Sequence, residues 1–334
     1  MKTVKRSFLR AALGTVALTL GMGAMAQTTT LRIQDYPGLG NVLTRVAAAN
    51  GYCEKHGVKC DLKTIPAAPL GMQTLLAGDL DVYFGPAEVA IQAFNKGADL
   101  KIIGGITSET TFFLMAGAAM ETPNAAKGYP AVMQDFKGKK IGVTARGSAA
   151  EFQLVDMLRG AGMQATDVTI IPVGAPNTAL PAIANKQIDA LMSFPPMDGF
   201  CHAMKVCRVI IDPRKGQGPV EITRLNGGAG PAVVRSDFAQ KNAAAIDGYA
   251  RALKEAEVFA QDPKNFDALL KIINQTFKID GPAGAAAVEH SLRNAISGAR
   301  FSYDAKALQH AADYLHKSGQ IDKVVDTSRM LQLR

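Results

Sequence analysis

Residues 81–86, DVYFGP, have a counterpart at residues 189–196, DALMSFPP. In each stretch an aspartate begins a short apolar run, and proline then separates that run from a helical pattern. Further apolar positions repeat at the same offset of 108 residues: Ile33 with Ile141, Leu75 with Ile183, and Ile102 with Ile210. A repeat of this length predicts two related lobes, which suits a chain of 334 residues.

Strand-like runs alternate with helical periodicity around these stretches, and this pattern predicts an α/β protein with largely parallel sheets. In the first half, the strand-like runs are residues 31–34, 58–65, 82–84 and 101–103, and the helical ones are residues 42–50, 71–77 and 89–96.

Two glycine-bearing connections predict where the chain passes between the lobes. Residues 104–105 precede a β-rich run at 110–116, and residues 226–230 precede another at 231–235. Glycines there could absorb backbone rotation between moving lobes, although ordinary loops would have the same composition. We expect the first lobe to comprise residues 27–112 and 231–334, and the second to comprise residues 113–230 with the crossover segments.

The chain after Asp237 is predicted to be helical. The spacing of Ile246, Tyr249, Leu253 and Val258 is amphipathic. We expect these C-terminal helices to cover the first lobe.

The first 26 residues have the pattern of a secretory signal peptide. Four basic residues precede an apolar run at 11–22, and Ala24-Met25-Ala26 supplies a cleavage site after Ala26. Because residue 27 is Gln and not Cys, a lipid anchor is not expected, and we predict a periplasmic protein. No other stretch approaches the roughly 20 apolar residues of a membrane span.

Charge argues against nucleic-acid binding. The signal segment contributes four basic residues to the net charge of +8, so about +4 remains, and no run of five Lys or Arg occurs.

The four cysteines form two close pairs, Cys53 with Cys60 and Cys201 with Cys207. In an oxidising compartment this favours two disulfides. A zinc site would favour closer spacing, such as C-x2-C, so no metal is predicted.

The main candidate for binding chemistry is the stretch IGVTARGSAAE at residues 141–151. Ser148 and Glu151 fit a capping box, and the amides that follow could hold an anion with help from Arg146. The plainer alternative is that the motif only begins a helix and Arg146 faces solvent. The equivalent turn at residues 35–41 offers Tyr36 as a flat face with a hydroxyl.

Enzyme motifs are missing from the sequence. It contains no G-x-S-x-G, no P-loop and no H-E-x-x-H, and Gly38-Leu-Gly40 is only a fragment of a dinucleotide motif. The five histidines show no ligand spacing. No catalytic residue and no cofactor are predicted.

In order along the chain, several motifs make it resemble the periplasmic solute-binding proteins of ABC importers, in particular the nitrate/sulfonate/taurine-type family. They are QTLLAGDLDV at residues 73–82 with Gly85 and Pro86, FKGKKIGV at 136–143, Gly147-Ser148, and IDA at 188–190. The resemblance implies the type II periplasmic binding fold and a monomer. It also implies a protein that closes two lobes on one small molecule and presents it to a membrane permease.

The same resemblance places the ligand at the loops that follow the strands. The candidate residues are Tyr36, Pro37, Gly38, Pro69, Gly85, Pro86, Arg146, Gly147, Ser148, Asn177, Phe194 and Pro195. Ser148 and the following amides would hold a sulfonate or carboxylate. The lack of tryptophan departs from members that use an indole wall, so an aromatic or aliphatic organic acid is expected rather than taurine. Two alternatives stay open: a binding module of a sensor system, and an enzyme of the pyrimidine-synthesising type on the same fold.

Overall fold

The computed structural model describes residues 28–277 and 282–332. The predicted signal peptide, with its cleavage after Ala26, lies outside these residues. Within the described ranges, no helix is long and apolar enough to cross a membrane.

The described residues form a mixed α/β structure. The strands are β1 Thr29–Asp35, β2 Val58–Thr64, β3 Tyr83–Phe84, β4 Leu100–Thr107, β5 Phe113–Gly117, β6 Lys140–Val143, β7 Thr169–Pro172, β8 Ala190–Ser193, β9 Cys207–Ile211 and β10 Gly230–Arg235. The helices up to residue 204 are α1 Val42–Ala49, α2 Tyr52–Lys55, α3 Ala68–Ala77, α4 Ala87–Asn95, α5 Ala149–Gly160, α6 Pro176–Ala184 and α7 Met197–Met204. Those that follow are α8 Val220–Thr223, α9 Ser236–Lys241, α10 Ala243–Gln261, α11 Phe266–Asn274, α12 Pro282–Ala295 and α13 Ala305–Lys317.

Two sheets with the same strand order form the two lobes. In the second, the order is β7-β6-β8-β5-β9. In the first, β1 pairs with β2, and a bridge from Ile33 to Val82 brings β1 beside the β3-β10-β4 group. The chain crosses between the lobes twice. After β4 in the first sheet it enters the second sheet as β5, and it later returns to the first sheet as β10.

The sheets are mixed and not largely parallel as predicted. The crossover strand β10 runs antiparallel to β3 and β4, and β5 runs antiparallel to β8 and β9. A strand that arrives from the other lobe enters its sheet without a βα unit of its own, so the rule that favours parallel neighbours does not apply to it.

The repeated aspartates of the sequence make equivalent hydrogen bonds in the two lobes. The Arg32 amide donates to Asp81 Oδ2 at 2.8 Å, and the Lys140 amide donates to Asp189 Oδ2 at 2.8 Å. Both aspartates therefore hold the first strand of their lobe beside the third.

The C-terminal helices cover the first lobe with one exception. Helices α10 and α11 pack on α1, and α13 packs on α4, whereas α12 packs on α7 of the second lobe. The amide of Gly199 on α7 donates to Ser291 Oγ on α12 at 2.9 Å. The predicted periodicity also put Val258 on the apolar face of this helix, but Val258 is 73% exposed. Ala256 and Ala260 take the buried positions of α10 instead.

Both predicted disulfides are formed. Cys53–Cys60 joins α2 to β2, and Cys201–Cys207 joins α7 to β9. The lobe limits at residues 112 and 230 stay a prediction.

Candidate functional site

A cleft cavity lies where the carboxyl ends of the strands of both lobes meet. The cavity is small, and backbone and ring contacts join the two lobes beside it. The cavity is lined by Tyr36, Gly38, Gly40, Phe84, Gly85, Pro86, Thr107, Thr111, Phe112, Phe194, Ala229 and Gly230.

Aromatic rings from different segments close the cleft. Phe194, which follows β8, packs edge-on against Tyr36 at 5.1 Å between ring centroids and against Phe112 at 5.8 Å. A Cβ on Gly38 would lie 2.4 Å from the Phe194 ring, so only glycine leaves room for this contact. Beside it, the Leu39 amide donates to the Pro195 carbonyl at 3.1 Å across the cleft.

Arg45 on α1 supports the loop that carries Tyr36 and Gly38. Its Nη2 donates to the Tyr36 carbonyl and its Nη1 to the Gly38 carbonyl, each at 2.8 Å, while Nε donates to Asp35 at 2.9 Å. Burial lowers the pKa of Arg45, and Asp35 opposes that change. Sequence reasoning missed Arg45, although an arginine within an apolar helical pattern is a signal for a buried role.

Three buried hydroxyls at strand ends have no hydrogen-bond partner: Tyr36 Oη after β1, Thr144 Oγ1 after β6 and Ser193 Oγ at the end of β8. The Tyr36 hydroxyl has the Thr144 side chain and the Ala68 backbone as neighbours, but neither reaches hydrogen-bonding geometry. Burial raises the pKa of Tyr36 to about 12. Buried polar atoms are nearly always paired in folded proteins, so these hydroxyls are suited to a bound solute or water.

A buried acid and an amide face each other between the lobes. Gln153 Nε2 on α5 donates to Glu88 Oε1 on α4 at 2.8 Å, and each residue is 2% exposed. Gln153 Oε1 has no partner. Burial raises the pKa of Glu88, and the hydrogen bond from Gln153 opposes that rise.

The beginning of α5 matches the plainer interpretation of its motif. Ser148 is the N-cap, and its Oγ accepts from the Glu151 amide at 3.4 Å. Glu151 also accepts from the Gly147 amide at 2.6 Å and pairs with Arg146 at 2.8 Å. Arg146 is 62% exposed. The Glu151 carboxylate thus pairs with Arg146, which was expected to help hold an anion.

The structure brings five of the twelve predicted site residues together: Tyr36, Gly38, Gly85, Pro86 and Phe194 line the cleft. Pro195 lines an adjoining cavity. Of the others, Ser148 is buried as a helix cap, Pro37 and Pro69 are half-buried, and Arg146, Gly147 and Asn177 are exposed.

The twelve predicted site residues do not include Phe84, Phe112, Thr144, Ser193, Glu88 and Gln153. The offset of 108 residues could have identified two of them, since it relates Tyr36 to Thr144 and Gly85 to Ser193.

Comparison with known proteins places this fold in a family. A family model described as NMT1/THI5 like matches residues 43–265, more than half of the chain. The chain belongs to the NMT1/THI5-like family. The "Putative binding protein BAB2_1146" of Brucella abortus (strain 2308) is 34% identical over 200 residues, which are 58% of this chain and 56% of that protein. The match therefore spans about half the length of the curated relative.

Solved structures share the fold of this NMT1/THI5-like chain. The alkanesulfonate-binding protein SsuA from Xanthomonas axonopodis pv. citri, bound to MOPS, matches with a TM-score of 0.72 and 19% identity over 91% of this chain and 98% of that chain. The periplasmic nitrate-binding protein NrtA from Synechocystis PCC 6803 matches at 0.65 and 13%, over 91% and 87% of the two chains. The resemblance to periplasmic solute-binding proteins is confirmed.

The desulfurization enzyme DSZB has the same fold, with a TM-score of 0.64 and 16% identity over 91% of this chain and 96% of that chain. The fold therefore does not by itself separate binding from catalysis.

Proposed function

We propose that this protein is the periplasmic substrate-binding component of an ABC importer, which closes its lobes on one small solute and delivers it to a permease in the inner membrane. The observation that carries the proposal is the cleft, where rings from both lobes meet beside buried hydroxyls without partners. A solute that touches both lobes stabilises the closed arrangement, which is the form a permease would recognise. We propose that the protein acts as a monomer.

The ligand class proposed from the sequence is a small organic anion, a sulfonate or a carboxylate with an aromatic or aliphatic body. The rings of Phe84, Phe112 and Phe194 suit such a body. Arg146 does not add to this proposal, because it is exposed and already paired with Glu151.

Thermal unfolding of the mature protein, beginning at Gln27, tests solute binding. The panel comprises sulfonates, carboxylates, nitrate, amides, amidines and sugars. A solute present at about 100 times its dissociation constant stabilises the folded state by about 2.7 kcal/mol, which raises the unfolding midpoint. We expect one chemical class to raise it, and a panel without any shift would contradict the proposal.

Delivery is tested by uptake of the radiolabelled hit into cells that lack this gene or the candidate permease gene. Loss of uptake in both strains supports an importer. Unchanged uptake in both would contradict it and favour a sensor module. Recovery of a chemically altered hit after incubation with the pure protein would instead indicate an enzyme.

A further inference from the structure

The structure points to a ligand of a different charge from the one that the sequence predicts. We infer that Glu88 and Gln153 make the cleft selective for solutes with N–H donors that are uncharged or cationic, such as amides, amidines and amines. This inference rests on the proposed function, since it names the substrate class of the same cleft.

The first step of the argument is the position of the pair. Glu88 lies in the first turn of α4, two residues after Pro86, which lines the cleft cavity. Gln153 lies on α5, which follows the equivalent strand end of the second lobe. Their side chains meet across the lobe interface at 2.8 Å, so each lobe contributes one polar group beside the loop that carries Pro86.

The second step is chemical complementarity. A carboxyl oxygen accepts hydrogen bonds in either protonation state, and here Glu88 Oε1 accepts from a carboxamide N–H of the chain itself. Gln153 Oε1, which has no partner, is a second acceptor in the same place. An acceptor from each lobe complements a group with at least two N–H donors. The unpartnered hydroxyls of Tyr36, Thr144 and Ser193 can donate or accept, so they suit the remaining polar atoms of such a solute.

The third step is charge. Among the described residues that line the cleft cavity, none is basic. Arg45 is already bonded to Asp35 and to two backbone carbonyls. An anion in the cleft would therefore be buried near a carboxyl group without a free cation beside it, which is costly.

Arg214 is the residue that would hold an anion if this inference is wrong. It lines the adjoining cavity, and its Nη1 has no hydrogen-bond partner. However, its Nη2 lies 2.8 Å from Asp212 and 3.5 Å from Asp198, so two carboxylates already balance its charge.

The experiment uses matched probes that differ only in their polar group. Benzamidine, benzamide and benzoate share one ring, and the same three groups on cyclohexyl and butyl bodies extend the set. Binding to the mature protein is measured by thermal unfolding and by isothermal titration calorimetry. We expect the amidine or the amide of at least one set to bind at least about tenfold more tightly than the carboxylate.

The Glu88→Gln variant then tests the assigned residue. We expect amidine binding to weaken by about tenfold and carboxylate binding to strengthen, because the variant keeps the shape and removes the charge. Glu54→Gln, on the exposed side of α2, is the matched control and should leave both affinities unchanged. Should Glu88→Gln fail to fold, the ranking of the probes by the unaltered protein still decides the inference.

The outcomes separate this inference from the function on which it rests. Tighter binding of the carboxylates or of sulfonates, lost in Arg214→Gln, would overturn the inference and leave a solute-binding protein. Equal effects of Glu88→Gln on all three probes would also overturn it. Binding of no probe and of no member of the wider panel would contradict the proposed function as well.

Discussion

Gly38 shows how one residue controls contact between the lobes. Because Gly38 has no side chain, the Phe194 ring can pack against its backbone. On the other side, Arg45 donates a hydrogen bond to the Gly38 carbonyl. The loop is thus supported on one side and open to the opposite lobe on the other. A side chain at this position would therefore disturb the contact between the lobes more than the fold of either lobe.

Gly38→Val should weaken closure, because its Cβ would overlap the Phe194 ring. We expect a larger radius of gyration by small-angle X-ray scattering and at least about tenfold weaker solute binding. Gly38→Ala should give values between those of the unaltered protein and those of Gly38→Val. Ala49→Val, on the exposed end of α1, is the control. Unchanged binding and size in Gly38→Val would show that the rings do not limit closure.

Tyr36→Phe should reduce the fall in the free energy of unfolding that occurs at alkaline pH. Burial raises the pKa of Tyr36 from 10.0 to about 12, so between these values the unfolded chain releases a proton that the folded protein retains. Rising pH therefore lowers the free energy of unfolding, by up to about 2.7 kcal/mol for this residue. Urea unfolding at pH 8 and pH 11 should show a smaller decline in the variant.

At pH 8 the same variant should be as stable as the unaltered protein, since the deleted hydroxyl has no partner. Tyr52→Phe, at a half-exposed position, is the comparison. An equal alkaline decline in Tyr36→Phe and the unaltered protein would contradict the assignment.

At the scale of the elements, the contact between α7 and α12 differs most from the prediction, which placed all C-terminal helices on the first lobe. A Cβ on Gly199 would lie 1.9 Å from the Ala287 carbonyl oxygen, so the two helices approach almost backbone to backbone. Ser291 Oγ donates to the Asp198 carboxylate and accepts from the Gly199 amide. His202 and His290 stack beside them at 4.1 Å between ring centroids. Helix α12 is thereby attached to the second lobe.

Gly199→Ala should separate these helices and lower the free energy of unfolding by about 1 to 3 kcal/mol, because the obstructing atom is backbone and cannot rotate away. Gly71→Ala on α3 is the comparison, because its Cβ would meet side-chain atoms of Gln34 and not backbone. Urea unfolding of both variants measures the difference. Equal losses would contradict the close packing of α7 and α12.

At the scale of the whole molecule, contacts on several sides hold the lobes closed. Besides the rings and the Glu88–Gln153 pair, Tyr314 on α13 donates its hydroxyl to Asp156 on α5, and Gln320 donates to the same carboxylate at 3.0 Å. Because α13 packs on α4, this contact ties the helical layer of the first lobe to the second. The proposed closure equilibrium of the lobes would therefore depend on contacts far from the cleft as well.

Tyr314→Phe should shift this equilibrium towards the open form without touching the cleft. Loss of one hydrogen bond to a carboxylate corresponds to about 1.5 to 3 kcal/mol, so the ratio of open to closed molecules rises by about tenfold or more. Scattering should show a larger ligand-free protein that returns to the closed size with saturating solute. Tyr303→Phe serves as the control. A ligand-free size equal to that of the unaltered protein would contradict this role.

Local features of the fold could be predicted from the sequence. The repeat, the strands that begin near Leu31 and Val58, the cap at Ser148 and both cysteine pairs depend on residues close in the chain, so local patterns reveal them. The same is true of the loops that carry Tyr36, Gly85 and Phe194, since each follows a recognisable strand.

The docking of the lobes was decided by the tertiary structure alone. Glu88 and Gln153 are 65 residues apart, and Tyr314 and Asp156 are 158 apart. Neither pair leaves a periodic trace, because the partner of each side chain depends on how two separately folded sheets approach each other. The sequence by itself therefore determined two related α/β lobes with two disulfides, and it predicted a site at the strand ends. The crossed strands, the packing of α12 and the buried acid between the lobes follow from contacts that no local pattern encodes.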